Sequence, residues 1–167
     1  MSLLELIDIS PYDWSSVFTA LICGAIIGVE RQFRGKPVGI RTSTLIILGT
    51  YLFLKTTLLL QGPGIDESRV IGQIVTGIGF LGAGVMLARD GAVVGVTSAA
   101  VIWVLAALGV VVSLDHLTTA IKLSVLVVMI LLGVDLLERH TRAFGRGVHT
   151  RVVQYSDRHR RKHDSNN

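Results

Sequence analysis

The chain has 167 residues, of which 50% are apolar and only 17% charged, with a formal net charge of +4 and a mean hydropathy of +0.61. A soluble domain averages about 25% charged residues, so too little polar surface is on offer for a water-exposed globule, which excludes a soluble enzyme and a disordered chain. The positive balance could serve nucleic acid, but the Lys and Arg residues lie between and after apolar blocks, so no nucleic-acid partner is expected and the lipid bilayer is. A single cysteine, Cys23, allows no intramolecular disulfide.

Residues 1–10 carry Glu5 and Asp8 and no Lys or Arg. A cleaved signal peptide puts positive charge before its apolar stretch, so this segment is expected to be retained, with Leu3, Leu4, Leu6 and Ile7 at the interface. The first span is expected over 11–29. Ser10 can cap it, Pro11 suits the first helical position, and Asp13 completes a Ser-x-x-Asp box. Gly24 and Gly28 form a GxxxG that permits close backbone approach within a chain or between two. A homodimer is expected on that ground.

The densest chemistry follows. Glu30 and Arg31 close the first span, Arg41 and Thr42 open the second, and Arg34, Gly35, Lys36, Pro37 and Gly39 shape the turn between them. Thr42 or Ser43 can cap the second helix. Two readings of this constellation stay open: a structural clip between Glu30 and Arg41, or arginines that grip a phosphate or carboxylate.

The second span is expected over 42–60 and the third over 70–87. The third holds Gly72, Gly77, Gly79, Gly82 and Gly84. Either these permit tight helix packing, or the helix breaks near 77–84 and its freed backbone lines a polar cavity with Gln73 and Thr76. A short turn at Arg89-Asp90 leads to the fourth span, 97–114, which begins at Thr97 and carries Trp103. The fifth covers 117–137. Each span has roughly 18–21 residues, close to the ~20 a helix needs to cross a bilayer core. Lys55 and Lys122 lie near the outer ends of their spans and are read as snorkelling. Asp135 and Arg139, at i and i+4, are read as a helix-end ion pair.

Charge placement orients the spans. Thirteen Lys or Arg fall in the loop after the first span, the turn at Arg89 and the tail, against Arg69 alone on the other side. The positive-inside rule puts the N-terminus outside and the C-terminus in the cytoplasm. The tail, 138–167, is expected to be basic, mostly disordered and held to anionic lipid. Its histidines keep no zinc-ligand spacing with a cysteine. Two stretches also read alike: Gly24 to Arg31 with Gly82 to Arg89, Val38-Gly39-Ile40 with Val94-Gly95-Val96, and Thr42-Ser43 with Thr97-Ser98. Such a repeat is parallel, two helical hairpins related by an axis near the membrane normal. The expected fold is therefore all-α and integral to the membrane, five transmembrane helices over 11–137, with two hairpin repeats and a fifth helix.

The runs GAIIGVERQFRGKPVGIRT (24–42), IGQIVTGIGFLGAGVML (71–87) and VTSAAVIWVLAALG (96–109) resemble the MgtC/SapB/YhiD membrane domain. The likeness covers about residues 21–137. By motif match it carries over Glu30, Arg31, Gly39, Arg41, Thr42, Gln73, Gly77, Gly79, Phe80, Gly82, Gly84, Thr97 and Trp103. The resemblance implies a multi-pass protein of the bacterial inner membrane, with a role in growth under low magnesium and survival in hosts. Many members continue into a cytoplasmic domain resembling an ACT module. The 30 residues after Leu137 are too few to bury such a core, so that part is expected to be lost or supplied by another chain.

Three classes of function are weighed. The preferred one is a regulatory or accessory subunit packed against a larger membrane complex; it fits the lack of a carboxylate near the middle of any span. The alternative is a transporter or channel for Mg2+ or another small ion. Magnesium prefers oxygen ligands, often carboxylates, and only Gln73, Thr76, backbone carbonyls and the boundary Glu30 are offered, so no resident cofactor is expected. An intramembrane enzyme is not expected, since no histidine lies within a span and no Ser or Cys has a paired base in view.

Overall fold

The computed structural model describes residues 7–60, 66–89 and 92–140. Five helices run through them: α1 Trp14–Phe33, α2 Ile40–Leu59, α3 Glu67–Val85, α4 Val96–Ser113 and α5 Leu117–His140. All five are long and apolar enough to cross a membrane. The expected tail beyond 140 lies outside the described residues, as do residues 1–6.

The termini of α1 differ from the sequence reading at one end. Asp13, not Ser10, is the N-cap: its carboxylate accepts from the Ser16 N–H at 2.8 Å. Ser10 instead donates its own N–H to Asp8, which leaves Pro11 outside the helix. At the other end Gly35 takes φ +61. The Gly35 N–H then bonds the Gln32 carbonyl and the Lys36 N–H bonds the Arg31 carbonyl, a Schellman stop that turns the chain back. Asp115 ends α4 in the same way with φ +61, its N–H on Val112 and that of His116 on Val111.

Glycines close the first hairpin. A Cβ on Gly24 would stand 2.5 Å from Thr44 Cα, and one on Gly28 2.4 Å from Ile40 Cα. The GxxxG is thus used up within the chain, against α2, and the face expected to serve between chains is covered. On the far side of α2, Gly109 of α4 approaches Ile47 and Thr50 as closely. The core therefore lies among α1, α2 and α4, with Cys23, Ile27, Ile47, Tyr51, Ile102 and Leu105 fully or almost fully enclosed. α5 leans on α1 through Ala120 and Ser124, both 0% exposed.

The second hairpin repeats the first in outline. Gly39 caps α2 and Gly95, with φ +92, caps α4. Gly24 faces Thr44 as Gly82 faces Ala99, the equivalent pair under the repeat, and Ser43 and Ser98 are both buried. The connection differs: β1 Leu87–Arg89 pairs antiparallel with β2 Ala92–Val94, in register Leu87↔Val94, and the turn expected at Arg89-Asp90 falls partly outside the described residues.

α3 departs from both readings of its glycines. It is one unbroken helix, so no backbone is freed at 77–84. Nor is it tightly packed, since Gly72, Gly77, Gly79 and Gly84 each have nothing within 4 Å of an added Cβ. Only 11% of its spanning window is buried, against 50% for α4. α3 rests on α4 through Ile78 and Gly82 and stands off from α2.

Candidate functional site

The end of the bundle where α1 stops and α2 starts collects buried charge. Glu30 and Arg31 close α1 at 8% and 3% exposure. Arg34 lies one turn beyond Glu30 on the same helix face, and its Nε donates to Glu30 Oε1 at 2.7 Å. Its Nη1 meets Asp135 Oδ2 on α5. One guanidinium thus bridges carboxylates from two helices. Arg31 turns the other way and its Nη2 donates to Ser98 Oγ at 2.6 Å, in the first turn of α4. Three helices are tied at one level. Glu30 Oε2 and Arg31 Nε are buried without a hydrogen-bond partner among the described residues, and such groups make the cluster intolerant of losing a member.

The expected Glu30–Arg41 clip does not form. Arg34 reaches Glu30 from the same helix with no loop to close. Ile40 is seated against Gly28, and a helix turns about 100° per residue, so Arg41 swings to the exposed surface. Thr42 is exposed too and caps nothing; the buried hydroxyl is that of Ser43, which donates to the Val38 carbonyl at 3.2 Å. Asp135 is engaged by Arg34; Arg139, its expected partner, has a side chain outside the described residues.

A second feature lies between α2 and α3. Because these helices stand apart, a groove of about 640 Å³ opens, with Thr42, Gly49, Thr50, Gln73 and Gly77 among its lining and Thr57 toward its far end. The residues lining it are all uncharged. On the other side of α3 a smaller apolar groove of about 340 Å³ includes Ile74, Ile78 and Trp103. The structure thus divides the sequence candidates. Glu30 and Arg31 join the charged cluster. Thr42, Gln73 and Gly77 line the larger groove, and Trp103 the smaller. Thr76 is exposed and bonds its own backbone at Gly72; Gly79 and Gly84 face open space, Gly82 packs on Ala99, and Thr97 is exposed. Among the described residues no three His, Cys, Asp or Glu side chains gather as a metal site.

The opposite end is held by different chemistry. Lys55 does not simply snorkel; its Nζ lies 3.1 Å from both oxygens of Asp115 in the turn after α4. Tyr51 donates to Asp13 Oδ2 at 3.3 Å, joining α2 to the start of α1. Partial burial works against the charged Asp13, but hydrogen bonds from Ser15, Ser16 and Tyr51 outweigh it and hold its carboxyl below the usual range. Sequence reasoning missed Arg34, Ser98 and this junction as partners. The i, i+4 spacing from Glu30 was a usable signal for Arg34, and the Ser43–Ser98 equivalence for Ser98.

A family model described as the MgtC family matches residues 17–140. A protein of Escherichia coli strain K12 named "Putative magnesium transporter YhiD" is 43% identical over 122 residues, covering 69% of this chain and 56% of the relative. Protein MgtC of Brucella abortus strain 2308 is 44% identical over 91 residues, 54% of this chain and 38% of its own length. Protein MgtC of Salmonella typhimurium strain 14028s is 35% identical over 114 residues, 67% of this chain and 48% of its own. The chain spans about half the length of the curated relatives it matches. No solved structure matches it.

Proposed function

The chain belongs to the MgtC family, and on that premise we propose that it is a bacterial inner-membrane protein of the magnesium-limitation response, acting as a regulatory or accessory subunit of a larger membrane complex. The observation that carries this reading is that Glu30, Asp135 and Asp115 are each paired with a cation of this chain. Magnesium dehydrates reluctantly and is held by oxygen ligands that usually include a carboxylate. Here Glu30 and Asp135 are both engaged by Arg34, and Asp115 by Lys55. The groove between α2 and α3 offers hydroxyls and one amide in place of charge. Arg31, Arg34, Lys36 and Arg41 gather at the end where α1 stops, which supports a cytoplasmic location for that end and an external one for Asp13.

Direct movement of Mg2+ is the second reading. It is favoured by the length of the α2–α3 groove, from Thr42 to Thr57, and by the name of the Escherichia coli relative. Flux of Mg2+ into sealed proteoliposomes, read with a trapped indicator, separates the two. The regulatory reading expects no flux above that of protein-free vesicles. Flux that Gln73→Leu abolishes without lowering the melting temperature would overturn it and make the groove a conduit.

A further inference from the structure

The groove between α2 and α3 has a shape and a charge pattern that select what fills it. It follows α2 from Thr42 to Thr57, roughly 20 Å at ~1.5 Å per residue. A volume of about 640 Å³ over that length leaves roughly 30 Å² in section, about a third of that of a helix ~10–12 Å across. A helix of a second copy or of another protein is too thick to enter, and a single acyl chain is not. The walls carry Leu45, Ile46, Phe53, Ile74 and Leu81 and no charged side chain. Water would find few polar partners along them, whereas hydrocarbon gains dispersion contacts over the whole length.

The two mouths of the groove differ in charge. At one, Arg41 lies one turn before Leu45 on the same side of α2. It is exposed, and its guanidinium has no ion pair or hydrogen bond among the described residues. Lys36 is exposed in the turn before it. Glu30 and Asp135 at this end are already bonded to Arg34, and α2 starts with no side-chain cap and no acidic residue in its first turn. Free cations and the positive end of a helix are thus left unanswered together. At the other mouth Arg69 is accompanied by Asp66 and Glu67, and the Asp66 carboxylate caps α3. An amphiphile with an anionic head at Arg41 and an apolar tail along the groove is complementary to both features. A phosphate offers two oxygens to one guanidinium, while the ammonium of a zwitterionic head is repelled by Lys36 and Arg41.

We infer that the α2–α3 groove is a binding site for an anionic phospholipid of the leaflet at the Arg41 end, with the phosphate on Arg41 and one acyl chain lying past Gly49 and Gly77. The site does not depend on whether Mg2+ moves. The test uses the full chain in nanodiscs of phosphatidylethanolamine with a minor share of phosphatidylglycerol, read by native mass spectrometry. One phosphatidylglycerol is expected to stay on each chain, enriched at least tenfold over phosphatidylethanolamine. Arg41→Gln is expected to remove the enrichment, and Arg69→Gln, at the other mouth, to leave it. Gly49→Leu with Gly77→Leu fills the groove at mid-length, and an added Cβ at either meets nothing within 4 Å. That pair should keep the melting temperature in lipid-free detergent and lower phosphatidylglycerol retention at least tenfold. Phosphatidylglycerol should raise the melting temperature of the parent, as a ligand of the folded state does, and glycerol phosphate, the head without its chains, should not. Equal retention of the two lipids, retention that survives the filled groove, or the same stabilisation by glycerol phosphate each overturns the inference. A photoreactive phenylalanine in place of Phe53 should capture phospholipid, and capture of a second copy or of another protein overturns it as well.

Discussion

The two hairpins share a sequence pattern and spend it differently. In α1–α2 the glycines mark where two backbones touch, and polar side chains tie that hairpin to the rest at both ends: Arg31 to Ser98, Arg34 to Asp135, and Lys55 to Asp115. In α3–α4 most of the glycines of α3 face open space, and no hydrogen bond or ion pair is found from α3 to another helix among the described residues. Glycine content therefore says that close approach is permitted, not where it happens. The sharpest test is a pair of substitutions. Gly28→Leu drives a side chain into the Ile40 backbone, where only a helix shift could make room. It should cost at least about 3 kcal/mol, the upper range for overpacking, and the protein should fail to fold or melt far earlier in detergent. Gly79→Leu, on α3 with nothing within 4 Å of an added Cβ, should change stability by less than about 0.5 kcal/mol. Equal losses in both would erase the contrast.

The charged cluster gives the next largest effect. Arg34→Met leaves Glu30 buried and unpaired, and the loss of one partner of a buried pair costs about 3–5 kcal/mol. Arg34 is itself a quarter exposed, so about 2 kcal/mol is the expected loss in thermal or denaturant unfolding once solvent screening is allowed for. Adding Glu30→Gln should restore much of it, because the stranded charge is then gone. A double-mutant cycle that shows no coupling would remove the cluster as the tie between the first hairpin and α5.

How far this arrangement could be read beforehand depends on the range of each interaction. The five spans were legible because apolar length is a local property, and observed helix ends fall within a few residues of those expected. The repeat was legible too, and the equivalence of Gly24–Thr44 with Gly82–Ala99 gives it a structural counterpart. Pairing across helices was not. Glu30 had Arg31, Arg34 and Arg41 within reach along the sequence, and the choice among them rests on how Ile40 seats against Gly28. Asp135 is 101 positions from Arg34 in the chain, so only the docking of α5 on α1 brings the two together.

A smaller effect separates the ties of the first hairpin from each other. Lys55 pairs with an Asp115 that is largely exposed, and such pairs contribute about 0.2–1 kcal/mol. Lys55→Met should lower stability within that range, and the loss should shrink as salt rises. Arg34→Met, in a more enclosed place, should keep most of its cost in high salt. If both respond to salt alike, the cluster at the end of α1 is wetter than its burial indicates.

The smallest expected effect lies at the start of α1 and carries a pH signature. Asp13 caps the helix and holds Tyr51, and its carboxyl titrates below the ordinary carboxylate value in the folded protein. A depressed carboxylate stabilises the fold fully above its unfolded value, about 3.9, and loses that contribution as pH falls through the folded value. From neutral pH down to about 4 this group should therefore change nothing, and below that the α1–α2 junction should loosen. Asp13→Ala should cost about 1 kcal/mol at pH 7, as for other N-caps. Asp13→Asn can still cap the helix but cannot titrate, so it should retain most of the stability at pH 7 and lose less than the parent below pH 4. A parent and an Asn variant that fall together with acid would place the acid-sensitive group elsewhere, with Asp135 beside Arg34 the next to test.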